Sequence, residues 1–347
     1  MHSLRKLAAF TLSFASVVLV FFILIAWQNL MLPMVLGVVV WYLMITLAEA
    51  VRRLPMVGWR MPSIVAYFGA FSVIIILGYF IFGIIADNIA RLIDVAPSYQ
   101  DRLAGFVDYW FKVAGFKESP NFSELVERFD FVTLTTSIAA LVRTVAENAG
   151  IILIYVVFLM LEQHSFDAKL AALIKDPDQL IKARGIVQTI GAQIQTYLRI
   201  KTLSSLLTAG LSYLVLLWVG VDFADFWALL IFLLNFIPTI GSIVATIFPC
   251  LLTLVQFETI TPFILVTVSL ITIQFIIGNI IEPRWMGRTF NLSGLVIIVS
   301  LAVWGQVWGI VGMFLCVPIM VITNIILANF KSTRPLAIFM SQDGQIK

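Results

Sequence analysis

Four groups of residues have types and spacings that could do chemistry, and each is embedded in strongly apolar sequence. The first is "NFIPTIGSIV", which gathers Asn235, Pro238, Thr239, Gly241 and Ser242. The second is the pair of amides Gln274 and Asn279 in an otherwise clean apolar run. The third is "GNIIEPRWMG", with Glu282, Pro283, Arg284 and Gly287. The fourth is the set Gly305, Gly309, Gly312 and Pro318 in the last long apolar region.

Pro238 has no N–H to give a helix, and Gly241 accommodates a positive φ, so "IPTIG" reads as a hairpin tip or helix break. At membrane depth an opened backbone survives only where protein or a water-filled cavity satisfies its polar groups. The break therefore implies an aqueous or ligand-lined site. In that site Asn235, Thr239, Ser242, Gln274 and Asn279 would bind the hydroxyls or carbonyls of a small polar solute. Pro238 and Gly241 would shape the backbone around it. Glu282, with Arg284 beside it, would couple to H+ or Na+, because a carboxylate at the membrane is costly and usually functional. Pro283, Gly287, Gly305, Gly309, Gly312 and Pro318 would act as hinge residues.

A plainer reading stands beside each of these. The hydroxyls around Pro238 could simply bond the carbonyls that it frees. Gln274 and Asn279, about 140° apart on a helix, could be interhelical glue. Gly305 and Gly309 form a G-x-x-x-G that could serve ordinary close packing. Glu282 could be one half of a helix-terminal ion pair with Arg284.

Other chemistries are absent from the pattern. There is no phosphate-cradling Gly-x-x-x-x-Gly-Lys-Ser/Thr loop, no Gly-x-Ser-x-Gly elbow and no His-Glu-x-x-His, so neither ATP hydrolysis nor any other enzyme activity is expected, and no cofactor. His2 and His164 are too few and too far apart for a metal site or proton relay. Cys250 and Cys316 sit in separate apolar runs without a Cys-x-x-Cys pair, which reads as packing.

The elements that must position these residues follow from composition. Of 347 residues 61% are hydrophobic and 12% charged, with mean hydropathy +1.04, far outside the range of soluble domains. The expected fold is an all-α polytopic membrane protein with about eight hydrophobic segments, two of them interrupted helical hairpins. The lipid bilayer is its medium, and the small net charge of +3 argues against a nucleic-acid partner.

Five regions are expected. Residues 1–86 hold the N-terminal spans, a scaffold, at about 7–27, 30–48 and 63–86. The first run is longer than a signal-peptide core and no small-x-small site succeeds it, so it reads as a retained span. Residues 87–147 form an external insert with apolar residues at near-helical period, six bases and nine acids. Pro97 should bend or break it, and Ser119 with Pro120 should start a new helix. Residues 148–201 hold the fourth span and basic amphipathic helices. Residues 202–330 are the transport core, and 331–347 the tail.

Arg52, Arg53 and Arg60, and later Arg284, Arg288, Lys331 and Arg334, mark their loops and both termini as cytoplasmic. That parity requires the apolar regions 223–256 and 293–329 each to return to the side from which it entered. The first is too long for one span and too short for two plus a turn, which fits a hairpin dipping into the membrane. The two regions would be related by inverted topology, a pattern that points to a secondary transporter's midplane site, though two helical hairpins could also resemble each other to this extent by composition alone.

The stretches "NFIPTIGSIV", "GNIIEPRWMGRTFNLSGLVIIVSLAVWG" and "WGIVGMFLCVP" resemble the autoinducer-2 exporter family of bacterial membrane proteins. The family's Asn/Pro/Gly break corresponds to Asn235, Pro238 and Gly241. Its Asn-x-x-Glu-Pro-x-x-x-Gly stretch corresponds to Asn279, Glu282, Pro283 and Gly287, and its Gly-x-x-Gly and Pro to Gly309, Gly312 and Pro318. Ser242 and Gly294 stand where members often have Pro. The resemblance implies export of a small polar solute across the bacterial inner membrane. It also implies a homo-oligomer, a pentamer, whose protomers each move a core against a scaffold in an elevator-like manner. Some relatives are described as sodium/proton antiporters, the alternative on the same fold. A non-transporting envelope scaffold, docking through the acidic insert, is the alternative from another class.

Overall fold

The computed structural model describes residues 2–52, 62–113, 131–257, 259–287 and 290–345. The helix start expected at Ser119 and Pro120, and the loop with Arg53 and Arg60, lie outside them. The described residues are helices joined by short links. They are α1 (His2–Ala26), α2 (Gln28–Arg52), α3 (Ser63–Val113), α4 (Phe131–Leu173), α5 (Pro177–Val219), α6 (Ala224–Leu234) and α7 (Ile240–Gln256). Then come α8 (Ile260–Ile276), a π-turn (Ile277–Ile281), α9 (Glu282–Met286), α10 (Gly294–Asn329) and α11 (Arg334–Met340). Among them six helices are long and apolar enough to cross a membrane, which is the all-α polytopic architecture expected.

Three helices are longer than the apolar runs inside them. α3 has 51 residues and continues past Pro97 to Val113, so that proline does not end it. α4 joins the end of the insert, the fourth span and part of the basic stretch in one helix of 43 residues. α5 likewise carries the basic stretch straight into the fifth span. The reason is physical: hydropathy changes where a helix leaves lipid, but its i→i−4 hydrogen bonds can continue into water.

The chain folds as two compact units. One comprises 1–43, 149–197 and 288–347; the other comprises 44–148 and 198–287. In the first, Gly37 on α2 lets Tyr155 of α4 approach closely, since a Cβ there would lie 2.8 Å from the Tyr155 Cβ. Arg184 on α5 makes a two-pronged hydrogen bond to Asp167 on α4, both contacts 2.8 Å. α11 folds back so that the Ser293 N–H donates to the Met340 carbonyl.

The core of the second unit is built from α3, the end of α5, α6, α7 and α8, around Leu92, Leu216, Trp227, Leu252, Val266 and Leu270. Its polar end is tied together by side chains. Gln256 donates to the Gly220 carbonyl and accepts from the Asp222 N–H, and the Tyr99 hydroxyl donates to Asp222 Oδ2 at 2.9 Å.

Candidate functional site

α6 and α7 form the first expected hairpin. Trp227 stacks on Phe248 with ring centroids 6.3 Å apart, and Ile231 packs with Ala245, so the two helices run antiparallel about a tip near Ile237. α6 has 11 residues, a length of about 16 Å, roughly half of a ~30 Å hydrocarbon layer.

The tip differs from expectation in one respect. The residue with positive φ is Thr239 (φ 60, ψ −60), not Gly241. The Ile240 N–H donates to the Pro238 carbonyl at 2.6 Å, closing a γ-turn of the rare form centred on Thr239. Gly241 serves close approach instead: a Cβ there would sit 1.8 Å from the Leu234 carbonyl oxygen. The hydroxyls beside the break bond backward, Ser242 to the Thr239 carbonyl and Thr246 to the Ser242 carbonyl, which is the plainer of the two roles open to Ser242. Asn235 is buried and reaches another helix, its Nδ2 donating to Ser205 Oγ on α5 at 3.0 Å.

Glu282 is reached through the π-turn. Its N–H donates to the carbonyl of Ile277, five residues back, so the turn holds one extra residue and re-aims the helix beyond it. The side chain meets α5. Lys201 Nζ lies 2.7 Å from Glu282 Oε1, and Ser204 Oγ donates to Oε2 at 3.0 Å. The ion pair is enclosed, with the Lys201 and Glu282 side chains 8% and 12% exposed. Arg284, expected beside Glu282, is exposed, and the partner is Lys201. By sequence Lys201 reads only as one more charge of the basic stretch. The signal that could have found it is the buried polar row on α5, Lys201, Ser204, Ser205, Thr208 and Ser212, at three- and four-residue spacing.

The second unit thus brings Asn235 and Glu282 to adjacent positions on one helix, Ser205 and Ser204. Gln274, on α8 of the same unit, has its Nε2 buried without a hydrogen-bond partner, whereas Asn279, in the π-turn, is exposed. Gly287 adopts φ 54, ψ −134, backbone that only glycine takes readily.

The second hairpin lies in the other unit. α10 is interrupted only at Trp308 and Gly309 (φ 61, ψ −141), narrower than the expected 305–309 break. A Cβ on Gly312 would lie 1.9 Å from the Trp304 carbonyl oxygen, and one on Gly305 would lie 2.9 Å from the Met313 side chain, so this hairpin too turns back on itself. The Trp308 indole donates to the Leu24 carbonyl of α1 at 3.1 Å. Pro318 is buried in the returning arm.

Known proteins match this pattern over most of its length. The AI-2E family transporter profile matches residues 13–332. The AI-2 transport protein TqsA of Escherichia coli K12 is 28% identical over 82% of this chain and 83% of its own. YhhT of the same strain, named as a candidate transport protein, is 28% identical over 86% of each chain. A candidate transport protein of Borreliella burgdorferi is 37% identical over 55% of this chain and 52% of its own. With two broken helical hairpins and six helices able to cross a membrane, the chain belongs to the AI-2E transporter family and is a multi-pass bacterial membrane transporter.

Proposed function

We propose that the chain is a secondary transporter that exports a small polar solute. Residues Asn235, Pro238, Thr239, Gly241, Ser242, Gln274 and Asn279 form its solute site, and Glu282 couples flux to an ion. The observation that carries this reading is the enclosed Lys201–Glu282–Ser204 cluster next to Ser205, which holds Asn235 of the broken hairpin. A scaffold has no use for an ion pair removed from water beside an irregular backbone, since such pairs are costly to bury. Gln274 adds a buried amide nitrogen with no partner, a donor left for a solute oxygen.

Movement of the 202–330 core against the scaffold, a pentameric assembly, the inner membrane and cytoplasmic termini are carried over from the resemblance and from loop charge. Because one relative is named an AI-2 transport protein, AI-2 is the first solute to test. In proteoliposomes, saturable flux should fall at least about tenfold in Asn235→Ala, a change of some 1.4 kcal/mol or more. The variant should still elute as the wild-type assembly. Unaltered flux in both Asn235→Ala and Pro238→Ala would remove the hairpin tip from the site.

A sodium/proton antiporter on the same fold is the second reading, favoured by the enclosure of Glu282. It predicts sodium-dependent pH changes in everted vesicles that vanish in Glu282→Gln. Against it, both Glu282 oxygens are already engaged, so sodium would have to displace Lys201 or Ser204.

A further inference from the structure

The second unit has an open cavity of about 550 Å3 that contains none of the residues above. It is lined by the aromatic residues Tyr79, Phe80 and Phe82 and by the charged residues Asp87, Arg91 and Asp225. The most apolar 18 residues of the span Val65–Leu92, which supplies most of this lining, are only 11% buried inside the chain, so this face of α3 is open to lipid. Tyr79 and Phe80 are 76% and 61% exposed and touch edge to face, with centroids 6.2 Å apart.

From Tyr79 to Asp87 the helix rises about 12 Å, and the ionic residues occupy the last turns of the apolar run. The cavity therefore grades from lipid-facing rings to charges at the depth where headgroups lie. Asp225 is held in its wall by Asn88, whose Nδ2 also donates to the Ile84 carbonyl at 2.8 Å and reaches Asp225 Oδ2 at 3.3 Å.

The charge inventory selects the occupant. An anionic headgroup would meet two carboxylates, Asp87 and Asp225. A simple cation would meet a guanidinium, Arg91. A zwitterion with an ammonium two carbons from a phosphate answers both signs, with the ammonium on Asp225, Asp87 and the ring faces and the phosphate on Arg91. A primary ammonium carries three N–H donors for the carboxylates, and a trimethylammonium carries none. The acyl chains then run along Phe80 and Phe82 into the bilayer. We propose that this cavity is a binding site for a zwitterionic phospholipid of the phosphatidylethanolamine type.

The test is retention of lipid by the purified, detergent-solubilised full-length protein after incubation with equal amounts of phosphatidylethanolamine, phosphatidylcholine and phosphatidylglycerol. Bound lipid is counted by mass spectrometry. The wild-type protein should retain phosphatidylethanolamine over phosphatidylglycerol by about fivefold, the effect of one charge at a membrane surface. Arg91→Ala should lower phosphatidylethanolamine retention. Asp87→Asn/Asp225→Asn should abolish the preference, so that phosphatidylglycerol is held at least as well.

Arg91→Lys and Asp225→Glu keep the charges and should keep the preference, which guards against misfolding in the other variants. Equal retention of all three lipids by the wild type, or a preference that survives in both charge-removing variants, would overturn the proposal. So would a disulfide between two copies at Tyr79→Cys that expels lipid, since a second copy of the chain would then fill the cavity.

Discussion

Lys201 Nζ and Glu282 Oε1, 81 residues apart in sequence, lie 2.7 Å from each other between α5 and the start of α9. The pair is enclosed, so removing one partner leaves a charge with neither water nor counter-ion. Glu282→Gln and Lys201→Met should each destabilise the protein by about 3–5 kcal/mol. The double variant should recover a substantial part of that loss. Thermal unfolding in detergent of the four proteins, treated as a double-mutant cycle, checks this; additive losses would show that the two side chains do not interact.

Gly241 and Gly312 close the two hairpins by the same device, an α-carbon with no side chain set against a carbonyl oxygen seven or eight residues earlier. Adding a Cβ at 1.8 or 1.9 Å from that oxygen forces the arms apart. Gly241→Ala and Gly312→Ala should each cost at least about 1–3 kcal/mol, the range for overpacking. Gly210, within α5 and with nothing within 4 Å of a Cβ, is the control. Gly210→Ala should stabilise by about 0.5–1 kcal/mol through helix propensity, measured by the same unfolding assay.

Thr239 holds φ 60 and ψ −60 at the centre of its γ-turn, a conformation that is strained for a β-branched residue. Thr239→Gly should relieve about 1 kcal/mol of strain, seen as a raised unfolding midpoint. If the strain serves transport, flux should fall in the same variant. A lowered midpoint would mean that the threonine side chain contributes more than its backbone costs.

The Tyr99 hydroxyl has its pKa pushed up to about 12, first by burial and then by the hydrogen bond to Asp222. A pKa raised above the unfolded value of about 10 means a contribution present in full below pH 10 and lost as pH rises through 12. Stability gained from Tyr99 should therefore be flat between about pH 6 and 9. An absorbance titration of tyrosinate, taken as wild type minus Tyr99→Phe, should show one phenol ionising near 12. A phenol titrating near 10 would place Tyr99 in water.

Ser205→Ala strands the Asn235 amide against a buried apolar neighbour. The expected cost is about 1–3 kcal/mol, that of an unsatisfied buried donor, with hydrogen exchange at the 235–240 backbone rising in parallel. Unchanged exchange would show that the hairpin tip is held by its helices alone.

The sequence by itself determined local features. Apolar runs of membrane length, the missing N–H of Pro238 and the glycines near 309 dictate helices and the places where they break, because helix hydrogen bonding and hydropathy act over a few residues. The same locality explains why an apolar run and the helix that holds it need not share their ends. α5 crosses from polar to apolar sequence without interrupting its backbone bonds, so hydropathy marked a border where the helix has none. Tertiary structure alone decided the partners. Glu282 has Arg284 two residues away in sequence, yet the π-turn and the packing of α5 turn it toward Lys201. Gly241 is required by the Leu234 carbonyl opposite and leaves the left-handed position to Thr239. Such choices depend on which helices meet and at what height, and no periodicity within one helix encodes the register of another.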